Sequence, residues 1–195
     1  MRRSLTMSAT TLSDLAPEAA GVPPRWGGFS RFTRMKILVI DDEPANVSLL
    51  EVILSEQGYT RVKSVTDSRA ALEAFRTFKP DLVLLDLMMP HLDGFAILEA
   101  LRSEPEEIFL PVIVLTADAN EETKLRALAA GVSDFLLKPF DEVEASLRIG
   151  NLLMMRHFYT QLDMQRAAFE DALRARALEL REAQSALEKF TGGVR

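Results

Sequence analysis

The chain has 195 residues, of which 48% are hydrophobic and 27% charged, a composition that excludes wholesale disorder and suits one globular domain with appended segments. With no cysteine and two histidines, it has neither a disulfide framework nor a thiolate or multi-histidine metal centre. The net charge of −6 is unevenly distributed, because residues 1–34 carry +3, residues 151–195 carry +1 and the middle carries −10. The acidic middle indicates either carboxylates gathered around a cation or an acidic solvated surface, and the net charge argues against a nucleic-acid partner.

Residues 1–34 are predicted to form a flexible N-terminal tail. Six prolines and glycines between positions 17 and 28 interrupt any helical or strand period, although Trp26, Phe29 and Phe32 could dock on the domain. The two arginines near the start are not followed by a continuous apolar stretch, so no signal peptide is predicted. No segment reaches the roughly 18 apolar residues that a membrane span needs. We therefore expect a cytoplasmic protein without a membrane partner.

Five short apolar runs follow, separated by segments with helical periodicity. The runs lie at residues 36–41, 61–65, 81–86, 111–116 and 134–138, and the second is the weakest. Continuous rather than alternating apolar runs are typical of strands that are buried on both faces, as in a parallel sheet.

Four helices are predicted between these runs, at residues 44–57, 67–78, 94–103 and 120–130. Pro44 stands at a favourable first helical position, Asp67 or Ser68 is the expected N-cap of the second helix, and Gly131 ends the fourth. Five alternations of strand and helix predict an α/β fold with a doubly wound, five-stranded parallel sheet within residues 35–150.

The fifth helix begins near Asp141 and continues without proline or glycine through residues 151–190. Along it, positions spaced alternately three and four residues apart form a stripe, called the seam below, in which ten of twelve residues are apolar. The seam comprises positions 152, 155, 159, 162, 166, 169, 173, 176, 180, 183, 187 and 190. Its two exceptions are Arg166 and Arg176.

The seam follows a heptad pattern, which predicts a coiled coil. A helix of 40 residues is about 60 Å long, so it cannot fold back along a small domain over its whole length. The simplest partner is the same helix of a second copy, giving a homodimer through residues 151–190. The alternative is a solitary amphipathic helix that awaits another protein. Gly192 and Gly193 are expected to end the helix, and residues 191–195 to form a disordered end.

Polar residues stand at the carboxyl ends of four predicted strands. Asp41, with Asp42 next to it, ends the first strand, and Asp86, Thr116 and Lys138 end the third, fourth and fifth. Ligands of open α/β sheets bind at this edge. One such residue alone could simply cap a helix, as Asp41 or Asp42 could for the first helix, but four strands ending in this way indicate a shared site.

The chemistry of these residues points to a phosphoryl group and a hard cation. Three carboxylates at short range repel one another unless a cation lies among them, and oxygen ligands favour an ion such as Mg²⁺. A lysine ammonium and a threonine hydroxyl opposite the metal would contact the remaining phosphoryl oxygens. A carboxylate can itself be the nucleophile and form an acyl phosphate, for which the central Asp86 is the best candidate.

These motifs resemble the receiver domain of two-component response regulators. The resemblance covers about residues 36–150 and lies in the pair Asp41–Asp42, Asp86 within LLDLMMPHLDG (84–94), Thr116 within VLTA (114–117) and Lys138–Pro139 within LLKPF (136–140). It implies a CheY-like, flavodoxin-like sheet of strand order 2-1-3-4-5 and phosphorylation of Asp86. It further implies a histidine kinase or a histidine phosphotransfer protein as the donor, since the chain shows no ATP-binding motif.

The resemblance also assigns the metal ligands. Asp42, Asp86 and the backbone carbonyl of Met88 would bind Mg²⁺ directly, and Asp41 would act largely through water. On this basis the domain is a phosphoryl acceptor with at most slow self-catalysed phosphorylation and dephosphorylation, and not an enzyme.

Four further roles follow from the same resemblance. Thr116 and Lys138 would bind the phosphoryl group, Lys138 and Pro139 would be joined by a cis peptide, and Phe135 falls at the aromatic switch position. The hypothesis is a population shift in which Thr116 moves toward the phosphoryl group and Phe135 turns into the vacated space. The change would then pass through the fifth helix to the coiled coil.

Other polar residues near these motifs are expected to be structural. Asp93 is predicted to cap the third helix, and His91 to be an exposed bystander. His157 lies off the seam and lacks the flanking pattern of a phosphorylated histidine.

Three alternatives concern the activity and the output. A phosphohydrolase of the haloacid dehalogenase type also uses Asp, Lys and Mg²⁺. That family resembles a D-x-D motif after the first strand, whereas this chain has Asp41-Asp42-Glu43, and the family pattern gives no role to Asp86. A DNA-binding regulator would need a second globular pattern or a helix-turn-helix after residue 150. Finally, the chain could be the receiver and linker of a larger regulator whose output is a cyclic-dinucleotide enzyme or a kinase.

Overall fold

The structure, a computed structural model, describes residues 32–104, 109–117 and 120–191, with the side chains of the last helix described to residue 184. The predictions for Trp26 and Phe29 lie outside these residues. The predicted disordered end of residues 191–195 is wrong at Thr191, which is helical, and its other residues lie outside the described range.

Strands and helices alternate as predicted. The strands are β1 (Ile37–Ile40), β2 (Val62–Val65), β3 (Leu82–Asp86), β4 (Val112–Thr116) and β5 (Asp134–Leu137). The helices are α1 (Pro44–Glu56), α2 (Ala71–Phe78), α3 (Gly94–Ser103), α4 (Glu121–Ala129) and α5 (Glu142–Thr191). All strand pairs are parallel, in the order β2-β1-β3-β4-β5, which confirms the predicted fold class and strand order.

Two apolar cores lie on opposite faces of the sheet, and this arrangement explains the continuous apolar runs. In β1, Leu38 and Ile40 pack with α2 and α3, whereas Ile37 and Val39 pack with α1 and α5. Every residue of β1, β3 and β4 is buried, because each strand lies inside the sheet with helices over both faces.

Two helix starts differ from the sequence-based expectation. A 3₁₀ turn at Ser68–Ala70 precedes α2, and Asp67 caps that turn by accepting a hydrogen bond from the Arg69 amide. The cap of α1 is Glu43, which accepts from the Ala45 amide, and not Asp41 or Asp42. Asp41 is unavailable as a cap because its carboxylate is buried at the strand ends. Asp93 caps α3, as predicted.

Helix α5 is continuous over 50 residues. Its first turns bury Ala145, Ile149 and Leu153 in the core that also contains α1. From residue 164 to residue 184, every described side chain is exposed. Among the helices that the structure describes, none combines the length and the hydropathy required to cross a bilayer.

Arg156, His157 and Tyr159 contact the domain at the point where α5 leaves it. Arg156 Nη1 donates to the Phe109 carbonyl at 2.7 Å, and the rings of Tyr159 and Phe109 lie 5.2 Å apart. The ring of His157 lies 5.3 Å from that of Phe32. Because Phe32 and Phe109 precede β1 and β4, α5 leaves the domain at the edge opposite the carboxyl ends of the strands.

Phe32 lies within the predicted tail of residues 1–34 and docks on the domain, which the sequence alone had left open. Its side chain is buried in the core beneath α1 and α5, and the Thr33 carbonyl accepts a hydrogen bond from the Thr60 amide at 3.2 Å. Phe32 and Thr33 thus contact the domain, and a local sequence pattern does not show the contact between the rings of Phe32 and His157.

At Gly94, the start of α3 passes close to the backbone at the end of β3. A Cβ atom there would lie 2.3 Å from the Asp86 carbonyl oxygen and 2.5 Å from Leu87 Cα, both of them backbone atoms. We expect Gly94→Ala to lower the free energy of unfolding by about 2–3 kcal/mol, because the helix must move away from the strand. Urea unfolding followed by circular dichroism measures this. Ala96→Ser, at an exposed position of the same helix, is the control and should change stability by less than about 0.5 kcal/mol.

Candidate functional site

The sheet order brings two carboxylates together. Asp41 directly follows β1 and Asp86 is the last residue of β3, and these two strands are neighbours. Since Ile40 pairs with Leu85, Asp41 and Asp86 lie side by side at the carboxyl edge. Their exposed fractions are 0% and 4%, so both carboxylates are held away from bulk water.

Lys138 joins these two carboxylates. Its Nζ lies 2.8 Å from Asp41 Oδ2 and 2.8 Å from Asp86 Oδ2, and its side chain is 16% exposed. The Lys138 amide donates to the Thr116 carbonyl at 2.8 Å, which continues the β4–β5 ladder by one residue. Thr116 is buried, and the peptide between Lys138 and Pro139 is cis.

The site has more buried carboxylates than ammonium groups. Burial raises the pKa of the Asp86 carboxyl, and the hydrogen bonds from Lys138 and the Met88 amide only partly offset this. Burial lowers the pKa of the Lys138 ammonium, but its hydrogen bonds to Asp41 and Asp86 outweigh that and hold the pKa above its ordinary value. The ammonium therefore stays charged, and one positive charge faces two buried carboxylates.

Asp42 adds a third carboxylate. One oxygen from each of Asp41, Asp42 and Asp86 can be chosen so that all three lie within 4.8 Å of one another. This donor set fits Mg²⁺, which prefers carboxylate oxygens and keeps some of its water ligands. Asp41 and Asp86 are buried and Asp42 is half-buried, so a cation would enter the site from the side of Asp42.

The loop after β3 is held in place around Asp86. The Met88 amide donates to Asp86 Oδ1 at 3.1 Å, and the Met88 side chain is 71% exposed. Buried Ser68 donates through Oγ to the Pro90 carbonyl at 2.8 Å and accepts from the Leu92 amide at 3.1 Å. These bonds tie the loop to the turn before α2. Within the loop, His91 is exposed and has a φ of 72°.

The sequence did not identify Asn46 as part of the site. Its Nδ2 lies 3.1 Å from Asp41 Oδ1 and 3.2 Å from Oδ2, and the Glu43 amide donates to Oδ1 at 3.0 Å. With Lys138, these donors fix the orientation of the Asp41 carboxylate. Asn46 stands five residues after Asp41 in the first turn of α1, and its polarity alone did not separate it from a surface residue.

Phe135 lies in β5, at the register position of Val114 in β4. Its half-buried ring packs against the core formed with α2, α3 and α4. The structure thus brings Asp41, Asp42, Asp86 and Lys138 into one cluster, with Thr116 bound to Lys138 through the backbone and Phe135 in the adjoining core.

Comparison with known proteins gives the family. Residues 37–149 match the response regulator receiver domain model. The chain belongs to the response regulator receiver domain family, the class of two-component signalling protein that the resemblance implied.

Relatives and solved structures agree with this assignment. Response regulator PleD of Caulobacter vibrioides is 36% identical over 133 residues, which cover 68% of this chain and 29% of PleD. The alkaline phosphatase synthesis transcriptional regulatory protein PhoP of Bacillus subtilis is 39% identical over 118 residues, covering 60% of this chain and 48% of PhoP. A crystal structure of a putative response regulator from Chloroflexus aurantiacus has a TM-score of 0.58 and 30% identity and covers 62% of this chain and 98% of that chain. The chain thus spans less than half the length of these two curated relatives.

Removal of the lysine tests the balance of charge at the site. In Lys138→Ala, Asp41 and Asp86 remain buried without their ammonium. We expect the free energy of unfolding without Mg²⁺ to fall by about 3 kcal/mol, because an uncompensated buried charge is left behind. Added Mg²⁺ should stabilise this variant more than the wild type, since the metal replaces a missing cation. Urea unfolding in EDTA and in Mg²⁺ measures both effects.

The control for this experiment is Lys124→Ala in α4, where a lysine is half-buried away from the cluster. Its stability and its response to Mg²⁺ should match those of the wild type. Equal behaviour of the two lysine variants would contradict the assigned role of Lys138.

Proposed function

We propose that the chain is an Mg²⁺-dependent phosphoryl acceptor of a two-component phosphorelay and that Asp86 carries the phosphoryl group. The observation that supports this most directly is the buried Asp86 carboxylate, held between the Lys138 ammonium and the Met88 amide beside Asp41 and Asp42. A structural ion pair would need neither the third carboxylate nor the placement at the carboxyl edge of the sheet.

The donor we propose is the phosphohistidine of a histidine kinase or of a histidine phosphotransfer protein. An Asp86 carboxylate oxygen forms a new bond to phosphorus while the nitrogen–phosphorus bond of the donor breaks, and the imidazole leaves. Later attack by water on phosphorus returns the free carboxylate and releases inorganic phosphate. Any self-catalysed transfer from a small phosphodonor, or such hydrolysis, is proposed to be slow.

The residues around Asp86 have separate roles in this proposal. Mg²⁺, bound by Asp42, Asp86 and the Met88 carbonyl, would neutralise charge on the transferring phosphoryl group. Lys138 balances the added negative charge from the opposite side, and Thr116 donates its hydroxyl to a phosphoryl oxygen. Asp41, oriented by Asn46 and the Glu43 amide, would act on the metal largely through water.

We propose that the output is carried by α5. Because α5 starts four residues after Lys138 and runs without interruption to residue 191, a change at the site can reach the far end of one helix. In the phosphorylated state, Thr116 moves toward the phosphoryl group and Phe135 turns into the vacated space. The face formed by α4, β5 and α5 is thereby reshaped.

The far part of α5 is proposed to form a homodimeric coiled coil through residues 151–190. From the exit point onward, five large apolar residues of the seam are 48–65% exposed: Tyr159, Leu162, Phe169, Leu173 and Leu180. A second copy presents the same seam at the same 3.5-residue spacing, so apolar layers meet apolar layers along the helix. This match favours a second copy as the partner.

A second candidate function is suggested by the relatives. PleD is named a response regulator and PhoP a transcriptional regulatory protein, and both are more than twice as long as the matched region. The alternative proposal is that these residues are the receiver and linker of a larger regulator, with a cyclic-dinucleotide enzyme or a kinase as output. A DNA-binding output is the weaker form of this alternative.

The phosphoryl-acceptor proposal predicts a specific mass change. Incubated with Mg²⁺ and acetyl phosphate, the protein should gain the mass of one phosphoryl group at Asp86, and EDTA should prevent the gain. Asp86→Asn should gain nothing. Asp93→Asn, which keeps a capping side chain at α3, is the matched control and should be phosphorylated like the wild type. Intact-mass and peptide mass spectrometry give the result, and phosphorylation of Asp86→Asn would refute the assignment.

The coiled-coil proposal is tested by charges on and off the seam. Leu173→Glu places a carboxylate in the seam, whereas Leu178→Glu does so at an off-seam position of similar exposure, 59% against 54%. We expect Leu173→Glu to raise the dimer dissociation constant by about 100-fold or more, because each copy places a carboxylate in an apolar layer of the seam. Leu178→Glu should leave the constant within a factor of about three. Sedimentation equilibrium measures both, and equal effects would exclude the proposed seam.

A further inference from the structure

Two positions of the seam are occupied by arginine. Arg166 and Arg176 are ten residues apart, and their side chains are 68% and 72% exposed. Both lie beyond the contacts of α5 with the domain, so neither has a role in the packing of the receiver core. Their only structural environment within the described residues is α5 itself.

The head groups of both arginines are paired on the same helix. Arg166 Nη2 lies 3.3 Å from Asp163 Oδ1 and its Nε 3.7 Å from Glu170 Oε1, while Arg176 Nη1 lies 2.7 Å from Glu179 Oε2. All three acids flank the seam one helical turn away. The guanidinium groups therefore lie at the edge of the seam, while the aliphatic parts of the two arginine side chains remain in the seam where a second helix would pack.

Pairing with a second copy brings these arginines together in either orientation. In a parallel, in-register pair, each arginine faces its own copy. Leu152 is buried in the receiver core, so the first exposed seam position is Met155. In an antiparallel pair where position 155 faces 187, Arg166 faces Arg176. Two layers of like charge thus arise in both cases, and each weakens the pair relative to an apolar layer.

We propose that Arg166 and Arg176 hold the coiled coil at marginal stability, so that the state of the receiver domain decides whether two copies pair. This inference rests on the proposed dimer. A seam with an apolar residue in place of each arginine would pair the helices whatever the state of Asp86, because a modification shifts an equilibrium only by its differential free energy. The two arginine layers bring the dissociation constant into the range where that shift changes the population.

The test compares arginines on and off the seam in the full chain. R166L/R176L replaces the seam pair, and R174L/R181L replaces two exposed arginines outside it. R166Q/R176Q removes the charge without adding a large apolar group. Sedimentation equilibrium with Mg²⁺, with and without beryllofluoride as the phosphoryl mimic, gives the dimer dissociation constant of each.

We expect R166L/R176L to tighten the dimer about 100-fold or more and R166Q/R176Q about 10-fold, from the apolar area gained and the repulsion removed. R174L/R181L should stay within a factor of about three. At concentrations where beryllofluoride moves the wild type from monomer to dimer, R166L/R176L should be dimeric with and without it. The ratio of its two dissociation constants should be unchanged, because the arginines lie outside the receiver.

Equal dissociation constants for R166L/R176L and R174L/R181L would overturn this inference. So would a wild type that is fully dimeric without the mimic at the lowest concentrations measured. If neither the wild type nor R166L/R176L dimerises with or without the mimic, the proposed coiled coil fails together with this inference. If Leu173→Glu disrupts the dimer but replacing the seam arginines leaves the dissociation constant unchanged, only the present inference fails.

Discussion

The site depends on the close approach of two buried carboxylates. Asp41 and Asp86 share one ammonium, at 2.8 Å from each, and Asp42 lies next to them. Such a group of acids is tolerated only with positive charge nearby, since buried charges without partners are costly. One ammonium does not balance three carboxylates, so the arrangement favours a further cation at the site. This electrostatic constraint links the fold to the proposed phosphoryl transfer.

The parallel sheet supplies this constraint through its strand order. Because β1 and β3 are neighbours in register, the first polar residue of each falls at the same edge. β5 is two strands away from β3, yet the long side chain of Lys138 reaches both carboxylates. The strands are packed on both faces and therefore hold these polar groups in fixed positions. A change of charge at the edge of the sheet is thus next to a well-packed core.

Helix α5 connects the two ends of the molecule. It begins next to the site and leaves the domain at the opposite edge, where Arg156, His157 and Tyr159 contact Phe109 and Phe32. A change in the packing of the first turns of α5 would therefore rotate the helix about these contacts. The long exposed stretch beyond that point would convert a small rotation into a change at the seam, which is where the proposed arginine layers matter.

The sequence by itself determined the strands, the helix alternation and the position of the site. Continuous apolar runs indicate strands that are buried on both faces, and they predicted the positions of all five strands. The polar residues that end those runs predicted that Asp41, Asp86 and Lys138 lie together at the carboxyl edge of the sheet. The heptad spacing similarly predicted one long helix, because periodicity is a local property of the chain.

Only the tertiary structure decided which groups orient the carboxylates and where the packed domain begins. Asn46 and the Glu43 amide bind Asp41, Ser68 holds the loop after Asp86, and Phe32 packs on His157. The partners of Ser68 and Phe32 are distant in the chain, and Asn46 is distinguished from other surface residues only by the direction in which its helix points it. No composition or period records such contacts, because they depend on how separate elements pack against one another.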